Sequence, residues 1–410
     1  MKKVLLAIDS FKGCLSSLEV AAAAESGIKA VYPSCEVIKT PVADGGEGTV
    51  EALVWATNGQ ICTVEVNDPL MQPVRARYGI LGDGHTAVIE MSAASGLPLV
   101  PENRRNPMLT TTYGTGQLIA DAISRGCTDF ILGIGGSATN DAGTGMLQAL
   151  GYRFLDTDGK TLGKGGQILS QVAVIDSSQR NPLLDKAQFK VACDVDNPFS
   201  GKRGAAYVYA PQKGADPQMV ETLDHGLKHF ADVVKAQFNK DIDPIPGAGA
   251  AGGMGGGSLA FLDTRLQPGI HLALDALHFD DLLEGADLVI TGEGRMDAQT
   301  AMGKAPQGIA EAASRKGIPV IALTGNIADA AAINRIGICG VFSIVPYPMT
   351  LQDAMNPDTA RRNIRQTVEQ LFGWHRSFLT LSATPQPDRS VTRQPVRVNR
   401  PDRVVNKNQK

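Results

Sequence analysis

Five short segments of this chain place carboxylates, hydroxyls or cations among glycines, each behind an apolar run. Asp9-Ser10-Phe11-Lys12-Gly13 offers an acid, a hydroxyl and a lysine within four positions, at the strand end where α/β sheets place ligands. Lys12 there can neutralise a phosphate or a carboxylate. Asp44-Gly45-Gly46-Glu47-Gly48-Thr49 sets two carboxylates among glycines that let the backbone approach a ligand closely. The run from Gly133 to Gly143, with Gly135, Gly136, Ser137, Asn140 and Asp141, leads into an Ala/Leu segment, so helix-start amides would face an anion such as polyphosphate. Asp194 and Asp196, in Ala192-Cys193-Asp194-Val195-Asp196-Asn197-Pro198, supply the hard oxygens that Mg²⁺ prefers. Thr291-Gly292-Glu293-Gly294-Arg295-Met296-Asp297 adds an arginine with two acids, and Asp297 at a glycine-lined helix start suits a base facing a hydroxyl. Phosphoryl transfer needs these parts: amides or cations on phosphate oxygens, a carboxylate for the metal, and a group that takes the hydroxyl proton. Each segment alone also reads as an ordinary surface turn.

The elements that must position them follow from periodicity. Continuous apolar runs at Val4–Ile8, Phe130–Ile134, Leu288–Thr291, Val320–Thr324 and Val341–Val345 predict strands buried on both faces. Segments 17–31, 116–125, 217–237 and 304–316 carry apolar residues at helical spacing, and alternate with those runs as parallel βα units do. Ser16 or Ser17 with Glu19, and Thr115, are expected to cap helix starts. Residues 64–78 and 86–91 alternate instead and are joined through Asp83-Gly84, a hairpin dipeptide.

The fold expected is α/β: a doubly wound, Rossmann-like parallel sheet from residues 1–64 and 280–380, with a mixed-sheet domain inserted at 65–279. The nearly all Gly/Ala stretch 246–258 reads either as a linker or as a tightly packed helix start near a ligand. Residues 381–410 hold seven basic residues and two acids without periodicity, and cannot build a core. A disordered tail is expected there, with a nucleic-acid or lipid tether as the other reading.

Several function classes are excluded. Gly159-Lys160-Thr161 resembles the end of a Walker loop, but Phe154 stands where its first glycine belongs, and no G-x-G-x-x-G opens the first βα turn. His225 and His229 lie one helical turn apart without a metal-site glutamate between them, and no histidine has a recognisable Ser or Cys partner. A net charge of -3 gives no general attraction to nucleic acid or anionic membrane. The six cysteines form no C-x-x-C pair. Asp9 and Lys12 cut the first apolar run short of a signal peptide, and no run approaches the roughly 20 residues of a transmembrane helix. The expectation is a cytoplasmic, reduced enzyme without membrane or nucleic-acid partners, as monomer or homodimer.

Residues 1 to about 380 resemble the type 1 bacterial glycerate kinases. The resemblance rests on ordered blocks: Ile8–Lys12, Pro41–Thr49, Ile89–Leu97, Gly114-Thr115-Gly116, Gly133–Gly143, Val191–Pro198, Gly247–Gly255 and Val289–Asp297. It implies two α/β domains with the active site in the cleft between them, and transfer of the ATP γ-phosphoryl group to the 2-hydroxyl of D-glycerate, giving 2-phosphoglycerate. Some relatives read Asp-Ser-Gln where this chain has Asp297-Ala298-Gln299, which leaves the acid in place. The resemblance assigns no individual roles; from the chemistry of the residue types, Asp297 as base, Lys12 and Asp194 are expected to be catalytic, with Mg²⁺ on Asp194 and Asp196. Asp9, Ser10, Asp44, Glu47, Ser92 and Arg295 are expected on the substrate. Thr115, Gly135, Gly136, Ser137, Asn140, Asp141, Gly292 and Glu293 are expected on ATP. A kinase for another small hydroxy acid, or an anion-sensing module without turnover, would use the same loops.

Overall fold

The computed structural model describes residues 1–42, 46, 48–297 and 304–383. Asp44, Glu47 and the tail from 384 lie outside the described residues. The chain opens with β1 (Lys3–Ile8), α1 (Ser17–Val31), β2 (Glu36–Lys39) and α2 (Thr49–Ala56). It then runs through β3 (Gln60–Asn67), β4 (Pro73–Ile80), β5 (Thr86–Glu90), α3 (Ser92–Ser95), α4 (Tyr113–Ser124), β6 (Asp129–Gly133) and α5 (Thr144–Ala149). β7 (Arg153–Leu155), β8 (Val174–Asp176), β9 (Gln188–Ala192), α6 (Ala205–Tyr209), α7 (Pro217–Phe238), α8 (Ala250–Phe261) and β10 (Thr264–Gln267) follow. The last part holds α9 (Gly269–Ala276), α10 (Phe279–Leu282), β11 (Leu288–Met296), α11 (Ala305–Arg315), β12 (Val320–Ile327), α12 (Ala330–Arg335), β13 (Ile338–Ser343), α13 (Leu351–Ala354) and α14 (Pro357–Ala383).

One sheet is parallel throughout, in the order β13-β12-β11-β1-β2. The central strands β1 and β11 are apolar over Val4–Ile8 and 288–290 because both faces are covered there, whereas the edge strand β2 carries Glu36 and Lys39. On one face α1 and α14 meet through Ala24, Ile28, Ile364 and Val368. On the other lie α2, α9 and α11, through Leu53, Ala273 and Ile309. The chain winds one way from β1 to β2 and the other way from β11 to β13, so the topological switch lies between β1 and β11, which ligands favour.

The second sheet runs β10-β9-β6-β5-β4-β3, with β5, β6, β9 and β10 parallel and β3, β4 and β5 antiparallel. Asp83 accepts from the amides of His85 and Thr86 and from the Thr86 hydroxyl, fixing the β4–β5 turn. The changeover between sheets falls between Lys39 and Gln60 and again between Gln267 and Leu288, so a boundary at 64 would cut through β3. The two sheets share core: Val88, Ile131 and Ala192 of the second pack into the cluster formed by α2, α9 and the first.

Two local expectations change. Thr115 lies inside α4, fully buried, its hydroxyl 2.7 Å from Ser95 Oγ, and caps nothing. The Gly/Ala stretch is no linker: a Cβ at Gly252 would come within 2.1 Å of the Thr139 carbonyl, so α8 packs backbone to backbone on the loop after β6.

Candidate active site

Loops from the carboxyl ends of both sheets face each other. Asp9, at the end of β1, is 4% exposed; its amide donates to Gly292 O of β11 (2.9 Å), and its Oδ1 accepts from Ser10 N (2.6 Å). A capping box between Ser16 and Glu19 then starts α1, so the 9–15 turn is held at both ends. Opposite, the loop after β6 is pinned through Leu97 N to Gly136 O (2.8 Å) and Ala138 N to Ser95 O (2.9 Å). Its Gly135 and Gly136 stay exposed while Ser137 is buried.

Two cavities meet at this junction. The first, about 670 Å³, is lined by Asp9, Ser10, Arg75, Glu90 and Ser92. The second, about 470 Å³, is lined by Lys12, Ser137, Asp194, Lys213 and the first residues of α8. Gly46, Gly135 and Gly136 line both. A third cavity of about 500 Å³ lies at the amino ends of β5, β6, β9 and β10 and touches none of the glycine-rich loops.

Asp9, Ser10, Lys12, Ser92, Gly135, Gly136, Ser137 and Asp194 are thus brought to one cleft. Other expected site residues are not. Asp141 is fully buried and accepts from Thr112 N (2.8 Å), Thr112 Oγ1 (2.9 Å), Thr111 Oγ1 (3.3 Å) and the amides of Gly143 and Gly145 (3.2 Å each). The start of α5 therefore binds the protein's own carboxylate instead of an external anion. Burial pushes the Asp141 carboxyl above its ordinary range, against the hydrogen bonds it accepts. Asn140 is fully buried beside it and, like Thr115, lines neither main cavity.

The Thr291–Asp297 segment is strand as far as Met296, not turn. β11 stays paired with β12 through Arg295↔Asn326 and Met296↔Ile327, Asp297 follows directly on that strand, and the next described helix, α11, begins at Ala305. Arg295 is exposed and pairs with Asp297 at 3.4 Å; neither lines a main cavity, nor do Gly292 and Glu293. A Cβ at Gly294 would nevertheless sit 3.7 Å from Phe11 Cα, so this strand end adjoins the 9–13 loop. Asp196 points away, 3.4 Å from Arg203 on the surface, because the chain has left the sheet by then. Asp194 faces the second cavity and accepts from Gly269 N at the start of α9 (2.9 Å).

Three lining residues escaped the sequence reading. Glu90 accepts from Val50 N (2.9 Å), supplying the cap that Gly48 lacks at α2. Arg75 gives the first cavity a cation that was expected from Arg295. Lys213 is fully buried beneath the glycine loop, and burial pushes its ammonium down to about 7, opposed by Asp141. Only tertiary packing buries that lysine, so no local pattern marks it.

Among the described residues no helix is long and apolar enough to cross a membrane. The chain is 52% identical to a Bacillus subtilis glycerate kinase over 86% of this chain and 92% of that one. It is 45% identical to an Escherichia coli glycerate 2-kinase over 89% of this chain and 98% of that one. A crystal structure described as glycerate kinase 2 from Salmonella typhimurium LT2 superposes with a TM-score of 0.86 at 46% identity, covering 92% of this chain and 99% of that one. Residues 4–376 match the glycerate kinase family, and the chain belongs to it.

Proposed function

We propose that this protein is an ATP-dependent glycerate kinase that phosphorylates the 2-hydroxyl of D-glycerate in the cleft between its two larger sheets. One observation carries the site assignment: Gly135 and Gly136 line both cavities, so a phosphoryl group held by that loop is reachable from either side. The polyphosphate lies in the second cavity, against the Gly135–Ser137 loop with Lys12 offsetting its charge. Glycerate occupies the first, its carboxylate toward Arg75 and its hydroxyl toward Asp9.

Mg²⁺ fits as a shared ligand. Among the described residues no group of three acids, histidines or cysteines could hold a metal alone, and Mg²⁺ commonly takes one carboxylate plus phosphate oxygens. Asp194 is that carboxylate, and the ion when bound neutralises charge on the phosphates. The glycerate 2-oxygen attacks the γ-phosphorus, the bond to the ADP oxygen breaks, and the hydroxyl proton passes to Asp9. The buried position of Asp9 and its tie to Gly292 hold it in place for that transfer.

Purified protein is tested for ADP release from ATP across small hydroxy acids, with the product's phosphorylated carbon read by NMR. D-glycerate is expected to drive release with phosphate on carbon 2. No glycerate-dependent release overturns the proposal, and a strong preference for another hydroxy acid overturns its substrate.

A further inference from the structure

Lys213 ends a single 3-10 turn, Pro211–Lys213, and Gly214 closes that turn at φ +96°. A Cβ at Gly214 would lie 2.4 Å from the Arg105 carbonyl, so the turn sits hard against its neighbour and drives the lysine inward. Its Nζ donates to Ser137 Oγ (2.7 Å) and to the Thr139 carbonyl (2.6 Å). Both acceptors belong to the loop after β6. Because Ser137 Oγ accepts there, its own proton is left for another acceptor.

The cation has no carboxylate within ion-pairing distance among the described residues. The charged and titratable groups around it are Asp141 on the loop after β6, Lys12 after β1, Cys193 and Asp194 after β9, Tyr209 at the end of α6, and Arg105 against Gly214. Asp141 is already engaged by Thr111, Thr112, Gly143 and Gly145. Asp141 offsets the burial only in part, a buried charge without a direct ion pair is costly, and a loop staple alone needs only a neutral donor. A polyphosphate in the adjoining cavity supplies the missing countercharge.

Resting on the kinase reading above, we propose that Lys213 is a positioning residue for phosphoryl transfer, locking Ser137 and Thr139 from beneath so that the Gly135–Ser137 loop and the Ser137 hydroxyl receive the nucleotide phosphates. It acts through the loop. Since burial holds the free ammonium near 7, bound phosphate favours its charged form, and nucleotide binding takes up a proton above neutrality.

The test is calorimetric titration of ADP into wild type, Lys213→Met and Lys213→Arg at pH 6.5 and 8.5, with thermal melts and KM for ATP and D-glycerate. ADP titrates alike in all three, so differences between proteins isolate the lysine. The wild type is expected to weaken by up to about tenfold more between the two pH values than either variant. Lys213→Met is expected to bind about tenfold more weakly at pH 6.5, raising KM for ATP but not for D-glycerate. Should Lys213→Met fail to fold, Lys213→Arg decides, because its guanidinium keeps the charge and does not titrate. A folded variant with the wild-type pH slope overturns the inference while leaving the kinase reading intact. Wild type without glycerate-dependent turnover overturns that reading instead.

Discussion

Asp9 and Asp297 end neighbouring strands of the parallel sheet, yet only Asp9 lines a main cavity, while Asp297 is paired with Arg295. The two carboxylates therefore separate in a mutational test. Asp9→Asn keeps the shape and removes the proton acceptor, so kcat is expected to fall at least about 100-fold with nucleotide affinity within about twofold. Asp297→Asn is expected to lose much less. The reverse order in steady-state kinetics and ADP titration would return the base to Asp297. The sequence distinguished these acids poorly because both follow an apolar run and stand near glycines. What separates them is how far β12 continues to pair with β11, which is a tertiary fact. The role of Asp141 is hidden in the sequence for a related reason. An aspartate in a glycine-rich loop looks like a ligand group, but here it satisfies amides of its own chain.

The elements were far more legible. α1 runs over Ser17–Val31, and the Ser16/Glu19 pattern that predicted its start forms a capping box. Strands such as β1 could be read from sequence because burial on both faces demands unbroken apolar runs. Glu19 also ties α1 to α14 through Arg361 (2.6 Å). The Ser16 amide first, and then the Arg361 guanidinium, hold its carboxyl down at about 2. A depressed carboxyl contributes stability above its unfolded value near 4.5 and loses it as the pH falls through 2. Glu19 is 41% exposed, so solvent screening keeps that contribution small. Glu19→Gln is expected to cost about 1 kcal/mol or less at pH 7, with the difference from wild type vanishing toward pH 2 in denaturant melts. A difference that grows on acidification would contradict the assigned ionisation.

At the scale of the whole molecule, the two sheets are joined by common core as well as by the cleft. α2 and α9 bury side chains against strands of both sheets, and α9 begins with the amide that holds Asp194. The mixed sheet was visible in outline, since the Asp83-Gly84 hairpin and alternating strands announce themselves locally. Its meeting with the parallel sheet was not, because which loop faces which depends on long-range strand order. That meeting is the central claim, and a crystal structure with D-glycerate, Mg²⁺ and a non-hydrolysable ATP analogue tests it most directly. The account predicts phosphates on the Gly135–Ser137 loop, Mg²⁺ on Asp194, and the glycerate 2-hydroxyl within hydrogen-bond reach of Asp9. Nucleotide seated instead in the cavity at the amino ends of β5, β6, β9 and β10, or glycerate remote from Asp9, would contradict it.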